Sequence, residues 1–220
     1  MPMLAAYLMG INQTNSGIET QMLPSVTSII NYDVDFFVSP EELKQYASQG
    51  NIIDAKVKKY IKLGKWMDAK DIKEVWTDLV ILSRGSLKLD IDVGNFPALL
   101  EKYPIAKMQI GKRFFSDKLG YCGEPDFSGI PGDCEDWKKL KAESMPTIFD
   151  VKRTPDKLKN GMQLAAYCKA LNINQGIIIP LNDKTQQGYS KPIVYGQDQL
   201  EGYFNMFKDK QKEFKKRYNI

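Results

Sequence analysis

Hydrophobic residues recur at helical spacing through the first half of the chain. The segment SPEELKQYAS begins with Ser39 as a predicted N-cap and Pro40 at the first helical position, and a glutamate three residues after the cap completes a capping-box pattern. A second predicted helix, NIIDAKVKKYIKLG, ends at Gly64, and a third, DAKDIKEVWTDLVILSRG, ends at Gly85. A shorter helix is predicted from Phe96 to Lys102.

The period of the pattern changes in the second half of the chain. GKRFFSD, YCGEPDFSGI and MPTIFDVKR are short, bounded by Gly or Pro and rich in aromatic or β-branched residues, so they predict three strands of one meander. NGMQLAAYCKAL predicts a helix, QGIIIPLN and KPIVYG predict two further strands, and a helix from about Gln197 to Tyr218 closes the chain. This order of elements predicts an α/β fold with a central mixed β-sheet flanked by helices.

The chain is predicted to form one domain over residues 1–220. Its content of 43% hydrophobic and 26% charged residues is typical of a globular domain. No internal repeat, low-complexity segment or linker rich in Pro, Gly or Ser divides it. Within this domain we expect a mainly helical part over residues 1–105 and a sheet core over residues 106–220.

Composition excludes several classes of protein and of active site. No apolar run approaches the roughly 18 residues of a membrane span, and no basic residue precedes the short apolar stretch at the N-terminus, so neither a membrane span nor a signal peptide is predicted. The cysteines Cys122, Cys134 and Cys168 form no CxxC pair, which fits a reducing compartment. We therefore expect a cytoplasmic protein, in the host cytoplasm if it is virus-encoded. The absence of histidine leaves carboxylates and lysine as the available catalytic groups.

Two predicted strands carry acids where a buried strand would be apolar. Alternation along the strand PTIFDVK places Asp150 and Lys152 on one face, and a hairpin with a long loop would bring Asp126 beside Asp150. Adjacent carboxylates repel unless a cation lies between them, and Mg²⁺ or Mn²⁺ takes one or two carboxylates together with phosphate oxygens. Lys152 would then orient or deprotonate the attacking water, or stabilise charge on the phosphate. The alternative for a bare Asp-x-Lys pattern is a surface ion pair.

The segments around these residues resemble a known superfamily. GEPDF, a long loop, IFDVKRT and then MQLAAY together resemble the PD-(D/E)xK nucleases, in particular the branch that contains RecB-like nucleases, lambda-type exonucleases and small phage or mitochondrial DNA exonucleases. The resemblance covers the chain from roughly Ser39 to Leu181. It implies a restriction-endonuclease-like sheet core, two acids and a lysine around a divalent metal, and hydrolysis of DNA phosphodiester bonds.

The resemblance implies a role for five residues. Asp126 matches the G-x-x-D element, and Asp150 and Lys152 match the D-x-K element. Gln163 and Tyr167 match the Q-x-x-x-Y helix. A spacing of four residues places the last two on one helix face. The catalytic residues implied are, in that order, Asp126, Asp150, Lys152, Gln163 and Tyr167. An alternative for Gln163 is that it pairs with Asn160 to complete the start of the helix.

The resemblance also extends the expected metal site, which includes Asp126 and Asp150. Many RecB-like members have a helix that begins G-x-x-x-H, and GNIIDAKVKKYIKLG has this form with Asp54 at the histidine position. A carboxylate suits Mg²⁺ better than imidazole, although a solvent-facing helix acid is the alternative. Val151, between the acid and the lysine, is included in the expected metal set. No acid is evident on the strand before the G-x-x-D element, so the number of metal ions stays open.

Basic residues are concentrated near the C-terminus. KDKQKEFKKR holds six basic and two acidic residues, an excess equal to the net charge of +4 for the whole chain. We expect the aromatic side of this helix to dock on the domain and its basic side to contact nucleic acid, with a solvated surface helix as the alternative. The expected nucleic-acid-binding residues are Arg153, Lys112, Arg113, Lys208, Lys212, Lys215 and Lys216.

The sequence therefore favours a Mg²⁺- or Mn²⁺-dependent deoxyribonuclease. We expect an exonuclease of replication, recombination or repair with the compact build of a viral protein, acting on single- or double-stranded DNA and not at a membrane. An oligomer, or a replication or recombination partner protein, is left open. The alternatives are a non-catalytic nucleic-acid-binding or assembly protein that retains the fold, a structure-selective endonuclease and an RNA-directed enzyme.

Overall fold

The computed structural model describes residues 9–11, 22–33, 40–68, 94–182 and 185–220. Their helices are α1 (Val26–Asn31), α2 (Pro40–Leu63), α3 (Phe96–Lys102), α4 (Glu135–Lys139), α5 (Lys157–Leu171) and α6 (Gln197–Tyr218). Their strands are β1 (Met9–Ile11), β2 (Met22–Pro24), β3 (Ile105–Ile110), β4 (Phe114–Ser116), β5 (Tyr121–Gly123), β6 (Phe127–Pro131), β7 (Thr147–Lys152), β8 (Gly176–Pro180) and β9 (Ile193–Tyr195).

A five-stranded mixed sheet forms the centre of the molecule. Its strand order is β3-β6-β7-β8-β9, and the β7–β8 pair is parallel while the other three pairs are antiparallel. Two separate antiparallel pairs, β1–β2 and β4–β5, lie outside this sheet. The predicted α/β class, with a mixed sheet flanked by helices, is confirmed.

Helices cover both faces of the sheet because β7 and β8 are apolar on both. On one face, Ile148 and Ile178 belong to a core shared with α1, α5 and α6. On the other face, Phe149 and Ile177 belong to a core shared with α2, α3 and α4. The ring of Phe149 stacks on that of Phe127 from β6, with centroids 4.8 Å apart. Such two-sided burial is typical of a strand with a parallel neighbour.

Helix α5 connects the two parallel strands. It begins three residues before the predicted start because Asp156 is the N-cap, and its carboxylate accepts hydrogen bonds of 3.0 Å from the backbone N–H groups of Leu158 and Lys159. It ends at Asn172, which adopts a left-handed conformation with φ of 54°. Its apolar pattern predicts that Leu164, Cys168 and Leu171 face the core; the first two are buried, but Leu171, at the end of the helix, is 38% exposed.

The structure differs from the sequence pattern in the first half of the chain. The two helices predicted between Pro40 and Gly64 are one continuous helix, α2, in which Gly50 is an interior residue. A single glycine costs only about 1 kcal/mol within a long helix. The predicted helix ending at Gly85 falls largely on residues outside the described ranges, and so does Ser39. Helix α3 has the predicted bounds.

The predicted three-strand meander is also wrong in detail. YCGEPDFSGI forms two strands, β5 and β6, separated at Pro125, and β5 pairs with β4 outside the main sheet. The strand next to β6 in the main sheet is instead β3, which the pattern did not single out. Its burial is irregular and its backbone register shifts between Ala106 and Gln109, so it lacks a clean two-residue period.

Two further predictions from the sequence are that the chain has no membrane span and that its cysteines suit a reducing compartment. No helix within the described ranges is long and apolar enough to cross a membrane. Cys122, Cys134 and Cys168 are free thiols.

Candidate active site

Strand β7 carries a buried acid beside a lysine. Asp150 is 1% exposed, and the ammonium of Lys152 forms an ion pair with its Oδ2 atom at 2.5 Å. The Lys152 side chain is 27% exposed, so it reaches the surface while the acid does not. The predicted placement of both side chains on one face is confirmed, but the surface ion pair offered as the alternative does not describe a buried acid.

Asp126 is fixed to the same strand by a hydrogen bond. It directly precedes β6, and the antiparallel register that pairs Phe127 with Phe149 places it next to the end of β7. Its Oδ2 atom accepts a hydrogen bond of 2.6 Å from the backbone N–H of Val151. The predicted hairpin, with α4 in its long loop, thus brings Asp126 beside Asp150 and Lys152.

A glycine allows the chain to approach Asp126 closely. The backbone N–H of Gly111 donates to the backbone carbonyl of Asp126 at 3.0 Å. A Cβ atom at Gly111 would lie 1.7 Å from the carbonyl oxygen of Pro125, far inside van der Waals contact. Only a residue without a side chain fits at this position, next to the acid.

Burial and neighbouring charges make the site electrostatically unusual. Burial raises the pKa of Asp150 to about 7, Lys152 opposes this shift, and Asp126 adds to it. Burial alone lowers the pKa of Lys152, but the charges of Asp150 and Asp126 raise it above its ordinary value. Lys152 is therefore protonated at neutral pH, whereas Asp150 is protonated more readily than an ordinary aspartate.

Asp54 extends the acidic site from helix α2. Burial, followed by the charge of Asp126, raises the pKa of Asp54 to about 6. Its Oδ1 atom is buried and accepts no hydrogen bond from any residue that the structure describes. Asp54 also raises the pKa of Asp150, so the three acids lie close enough to repel one another.

Lys58 is a residue of this site that the sequence interpretation missed. Its ammonium lies 3.0 Å from Asp54 Oδ2 and 3.3 Å from Glu124 Oε1, so it connects α2 to the β5–β6 connection. Burial lowers the pKa of Lys58, but the charges of Asp54 and Glu124 raise it above its ordinary value. The four-residue spacing from Asp54 is a signal that could have indicated this residue.

Gln163 and Tyr167 share the face of α5 that lies toward Asp150. The Gln163 side-chain amide donates a hydrogen bond of 3.0 Å to the Tyr167 hydroxyl. Burial, followed by the negative charge of Asp150, raises the pKa of Tyr167. A Cβ atom at Gly123 would lie 2.6 Å from the Tyr167 ring, so that glycine provides room for it. The helix-start alternative for Gln163 is wrong, because Asp156 is the N-cap and Asn160 accepts from the Asp156 N–H.

The basic residues expected to bind nucleic acid lie on separate surfaces. Lys112 and Arg113 lie on the exposed connection between β3 and β4, where Arg113 Nε is 3.5 Å from Glu124 Oε2. Arg153 directly follows β7 and is half-buried. The predicted lysines of α6 are all exposed, on a helix whose apolar side packs against α1 and α5; they are Lys208, Lys212, Lys215 and Lys216. Of the expected basic residues, Arg153, Lys112 and Arg113 thus adjoin elements of the acidic site.

The acids fit a divalent ion with a partly aqueous shell. No group of three or more His, Cys, Asp or Glu side chains among the described residues is arranged to hold a metal ion. Mg²⁺ needs no such group, because it binds one or two carboxylates and completes its shell with water and phosphate oxygens. Apart from its ion pair with Lys152, the buried Oδ2 of Asp150 has no polar partner among the described residues, and a carboxylate oxygen is a hard ligand of the kind that Mg²⁺ or Mn²⁺ prefers. Asp126 and Asp150 therefore fit the ion, while direct contacts from Asp54 and Val151 stay predictions.

Comparisons with known proteins add only distant likenesses. No protein-family model matches the chain, and no curated protein matches it. The structure is similar to the crystal structure of an alkaline exonuclease from Laribacter hongkongensis, with 8% identity, a TM-score of 0.34, and coverage of 89% of this chain and 92% of that chain. It is also similar to the crystal structure of SSO0001, with 11% identity, a TM-score of 0.26, and coverage of 78% and 88% respectively. Likenesses at these TM-scores establish neither a shared fold nor a shared chemistry.

Proposed function

We propose that the protein is a nuclease that hydrolyses phosphodiester bonds of DNA with the help of Mg²⁺ or Mn²⁺. The observation that supports this most directly is the arrangement at the end of β7. A buried acid pairs with a lysine there, and a second acid is fixed to the backbone between them. A structural role alone does not account for the arrangement, because it concentrates repulsive charge in a place that burial makes unfavourable.

Asp126 and Asp150 would hold the metal ion. Their positions are set before any ion binds, since β6 and β7 pair at this point and Val151 fixes the Asp126 carboxylate. The ion, when bound, supplies Lewis-acid stabilisation of the phosphate and lowers the pKa of a coordinated water. It would also remove the repulsion among the acids, which adds to the effect of burial in raising the pKa values of Asp150 and Asp54.

Lys152 would stabilise the negative charge that develops on the phosphate. Its raised pKa keeps the ammonium protonated at neutral pH, so it is a poor general base and a good electrostatic partner. Of the three roles that the sequence left open, we therefore favour stabilisation of the transition state. The attacking water gives its proton to solvent or to a phosphate oxygen, a new P–O bond forms, and the P–O bond to the leaving strand breaks.

Gln163 and Tyr167 would position the substrate. The raised pKa of Tyr167 keeps its hydroxyl neutral, so it both donates and accepts hydrogen bonds. Because Gln163 donates to this hydroxyl, the phenolic proton is free to point toward a phosphate oxygen or a water molecule. Arg153, Lys112 and Arg113 would neutralise flanking phosphates.

We favour an exonuclease of DNA replication, recombination or repair, and the decisive experiment separates this from the alternatives. End-labelled linear DNA and circular DNA, each single- and double-stranded, are incubated with the protein in Mg²⁺, in Mn²⁺ and in EDTA. We expect degradation of the linear substrates with either metal and none in EDTA. The Asp150→Asn variant is the matched control, because it is close in size to the wild type and lacks the charge.

Each of the other outcomes would indicate a different function for the protein. Cleavage of circular DNA would indicate an endonuclease. Binding of DNA without cleavage in either metal would contradict the nuclease proposal and favour the non-catalytic nucleic-acid-binding protein. Cleavage of an RNA strand of the same sequence in preference to DNA would indicate an RNA-directed enzyme.

A further inference from the structure

A groove lies between the C-terminal half of α5 and helix α6. It has a cavity volume of about 410 Å³. Its α5 wall includes Ala165, Lys169 and Asn172, which lie on the opposite side of that helix from Gln163 and Tyr167, because each residue advances by about 100° around the axis. The groove is therefore a different surface from the acidic site.

An aromatic ring between two lysines is the main feature of the groove. Phe204 of α6 is half-buried, and the ammonium groups of Lys169 and Lys208 lie 5.8 Å and 5.6 Å from its ring centroid. These distances are within the range of a cation–π contact. The two lysine side chains are exposed, so each is free to exchange this weak contact for a stronger one with an anion.

The rest of the lining combines apolar residues, among them Ile173 and Leu200, with polar residues that are mostly uncharged. Asn172, Asn174 and Asn205 each place an exposed side-chain amide at the groove. The one carboxylate of the lining, Glu201, accepts a hydrogen bond of 3.3 Å from Gln197. Amides both donate and accept hydrogen bonds, so they suit the edge of a nucleobase, while the two lysines suit a phosphate.

The basic side of α6 continues from the groove. Lys208, Lys212, Lys215 and Lys216 lie within about 100° of one another around the helix axis and so follow one flank, over a length of about 12 Å. Lys212 also forms an exposed ion pair with Asp209, at 3.0 Å. A free nucleotide would use only the two lysines at the groove. A polynucleotide would use the whole row, because its phosphates repeat along the strand.

We propose that the groove between α5 and α6 binds one base of single-stranded DNA, with the adjacent phosphates on Lys169 and Lys208 and the rest of the strand along the α6 lysines. A duplex does not fit this description, because its bases are paired and stacked and cannot contact the Phe204 ring. The proposal rests on the proposed nuclease function for the identity of the nucleic acid. It gives the protein a second DNA site, apart from the acids, that holds a strand without cleaving it.

Binding in EDTA tests the groove without cleavage. The probe is a fluorescent oligothymidylate of about 15 nucleotides, within the size range of single-strand sites, and anisotropy gives its Kd. Phe204→Leu removes the ring and keeps an apolar side chain, and we expect it to raise the Kd about 5- to 10-fold. The double variant Lys169→Gln with Lys208→Gln should raise the Kd about tenfold and reduce the slope of log Kd against log salt by about 1.4, as expected for two lost single-strand contacts.

A matched charge control separates this site from general attraction. Lys139→Gln with Lys191→Gln removes two exposed lysines outside the groove, and it should change the Kd by less than about 2-fold. Circular dichroism and the thermal midpoint confirm that each variant is folded. An oligonucleotide with 5-iodouracil should crosslink to the peptides that line the groove, within residues 165–174 or 197–208.

Several results would overturn the proposal. These are no binding of the probe by the wild type, equal losses in the groove and control variants, crosslinks confined to other segments, or a duplex that binds as tightly as the single strand. Competition by free dTMP at concentrations similar to those of the oligonucleotide would also overturn it, and would identify a nucleotide site instead. Failure of the nuclease proposal is observed separately, as absence of cleavage by the wild type in Mg²⁺ and Mn²⁺.

Discussion

Two Asp–Lys pairs in this protein have the same length and opposite electrostatics. One pair is Asp150–Lys152 on β7. The other is Asp33–Lys210, which joins the segment after α1 to helix α6. In each pair the Lys Nζ atom lies 2.5 Å from the Asp Oδ2 atom. Asp150 is 1% exposed, whereas Asp33 is 41% exposed. The hydrogen bond from Lys210 lowers the pKa of Asp33, while burial raises that of Asp150.

The difference shows that an ion-pair distance alone does not determine how readily the acid ionises. At the exposed pair the lysine decides the ionisation of the acid, and such a pair contributes about 0–1 kcal/mol to stability. At the buried pair, desolvation and the charges of Asp126 and Asp54 outweigh the lysine. We therefore propose a metal ion at the buried pair and not at the exposed pair.

Removing either acid of the buried site should give the largest effect. We expect Asp126→Asn and Asp150→Asn to abolish cleavage measured on end-labelled DNA, because each would lose half of the charge that holds the ion. Asp33→Asn removes an acid with an equally close lysine, and its cleavage rate should match that of the wild type. Full wild-type activity in EDTA, or in Asp150→Asn, would contradict this prediction.

Replacing the lysine of each pair should likewise lower the cleavage rate only at the buried pair. Lys152→Ala should lower the single-turnover rate about 10²- to 10³-fold and leave the Kd for DNA nearly unchanged, because the ammonium acts mainly on the transition state. Lys210→Ala should leave the single-turnover rate unaltered. Equal rates in Lys152→Ala and the wild type would show that β7 carries only a structural ion pair.

Asp54 should have a smaller effect, on metal affinity. If it faces the ion directly or through water, Asp54→Ala should raise the metal concentration required for half-maximal cleavage by about tenfold or more. Asp54→His should recover part of the affinity, and more with Mn²⁺ than with Mg²⁺, because imidazole suits softer ions. An unchanged metal requirement in Asp54→Ala would contradict a metal-binding role for this residue.

The pH dependence of stability should show the smallest effect, and it differs in sign between the two pairs. The pKa of Asp150 is about 7 in the folded protein and about 3.9 in the unfolded chain. Between these values the folded state binds more protons, so this contribution to stability is complete below about pH 4 and is lost as the pH rises to about 7. The lowered pKa of Asp33 gives the reverse, a contribution present above about pH 4 and lost in acid.

Thermal midpoints in EDTA measure these contributions as differences from the wild type. Asp150→Asn should be at least as stable as the wild type at pH 8 and should lose this advantage toward pH 4. Each kcal/mol of difference in unfolding free energy should shift the thermal midpoint by about 2–4 °C. Asp33→Asn should be slightly less stable at pH 8 and equal to the wild type in acid. A midpoint of Asp150→Asn below that of the wild type at pH 8 would show that its ion pair is net stabilising.

The sequence predicted those parts of the site that local periodicity controls. Alternation along β7 placed Asp150 and Lys152 together, and the four-residue repeat of α5 placed Gln163 beside Tyr167. Both are distances within one element, so the backbone geometry alone determines them. The mixed sheet followed in the same way from the order of helical and strand patterns.

Contacts between distant segments could not be predicted from periodicity. Lys58 reaches Glu124, which is 66 residues away, and nothing in the helical pattern of α2 indicates that partner. YCGEPDFSGI divides into β5 and β6 around Pro125, which lies against Gly111 in a tertiary contact that the strand pattern does not indicate. The sequence also did not determine whether α2 continues through Gly50, because glycine is found both at helix ends and within helices.

The close approach at Gly111 has a consequence for mutational tolerance. This residue has no functional group, yet any side chain there would collide with the carbonyl of Pro125 and displace the backbone that carries Asp126. In a saturation library selected for activity, Gly111 should therefore be as intolerant as the acids, while an exposed residue with no proposed role, such as Lys118, should accept many replacements. Inactive Gly111 variants would still contain every acid and the lysine, so an intact motif in the sequence would not guarantee an intact site.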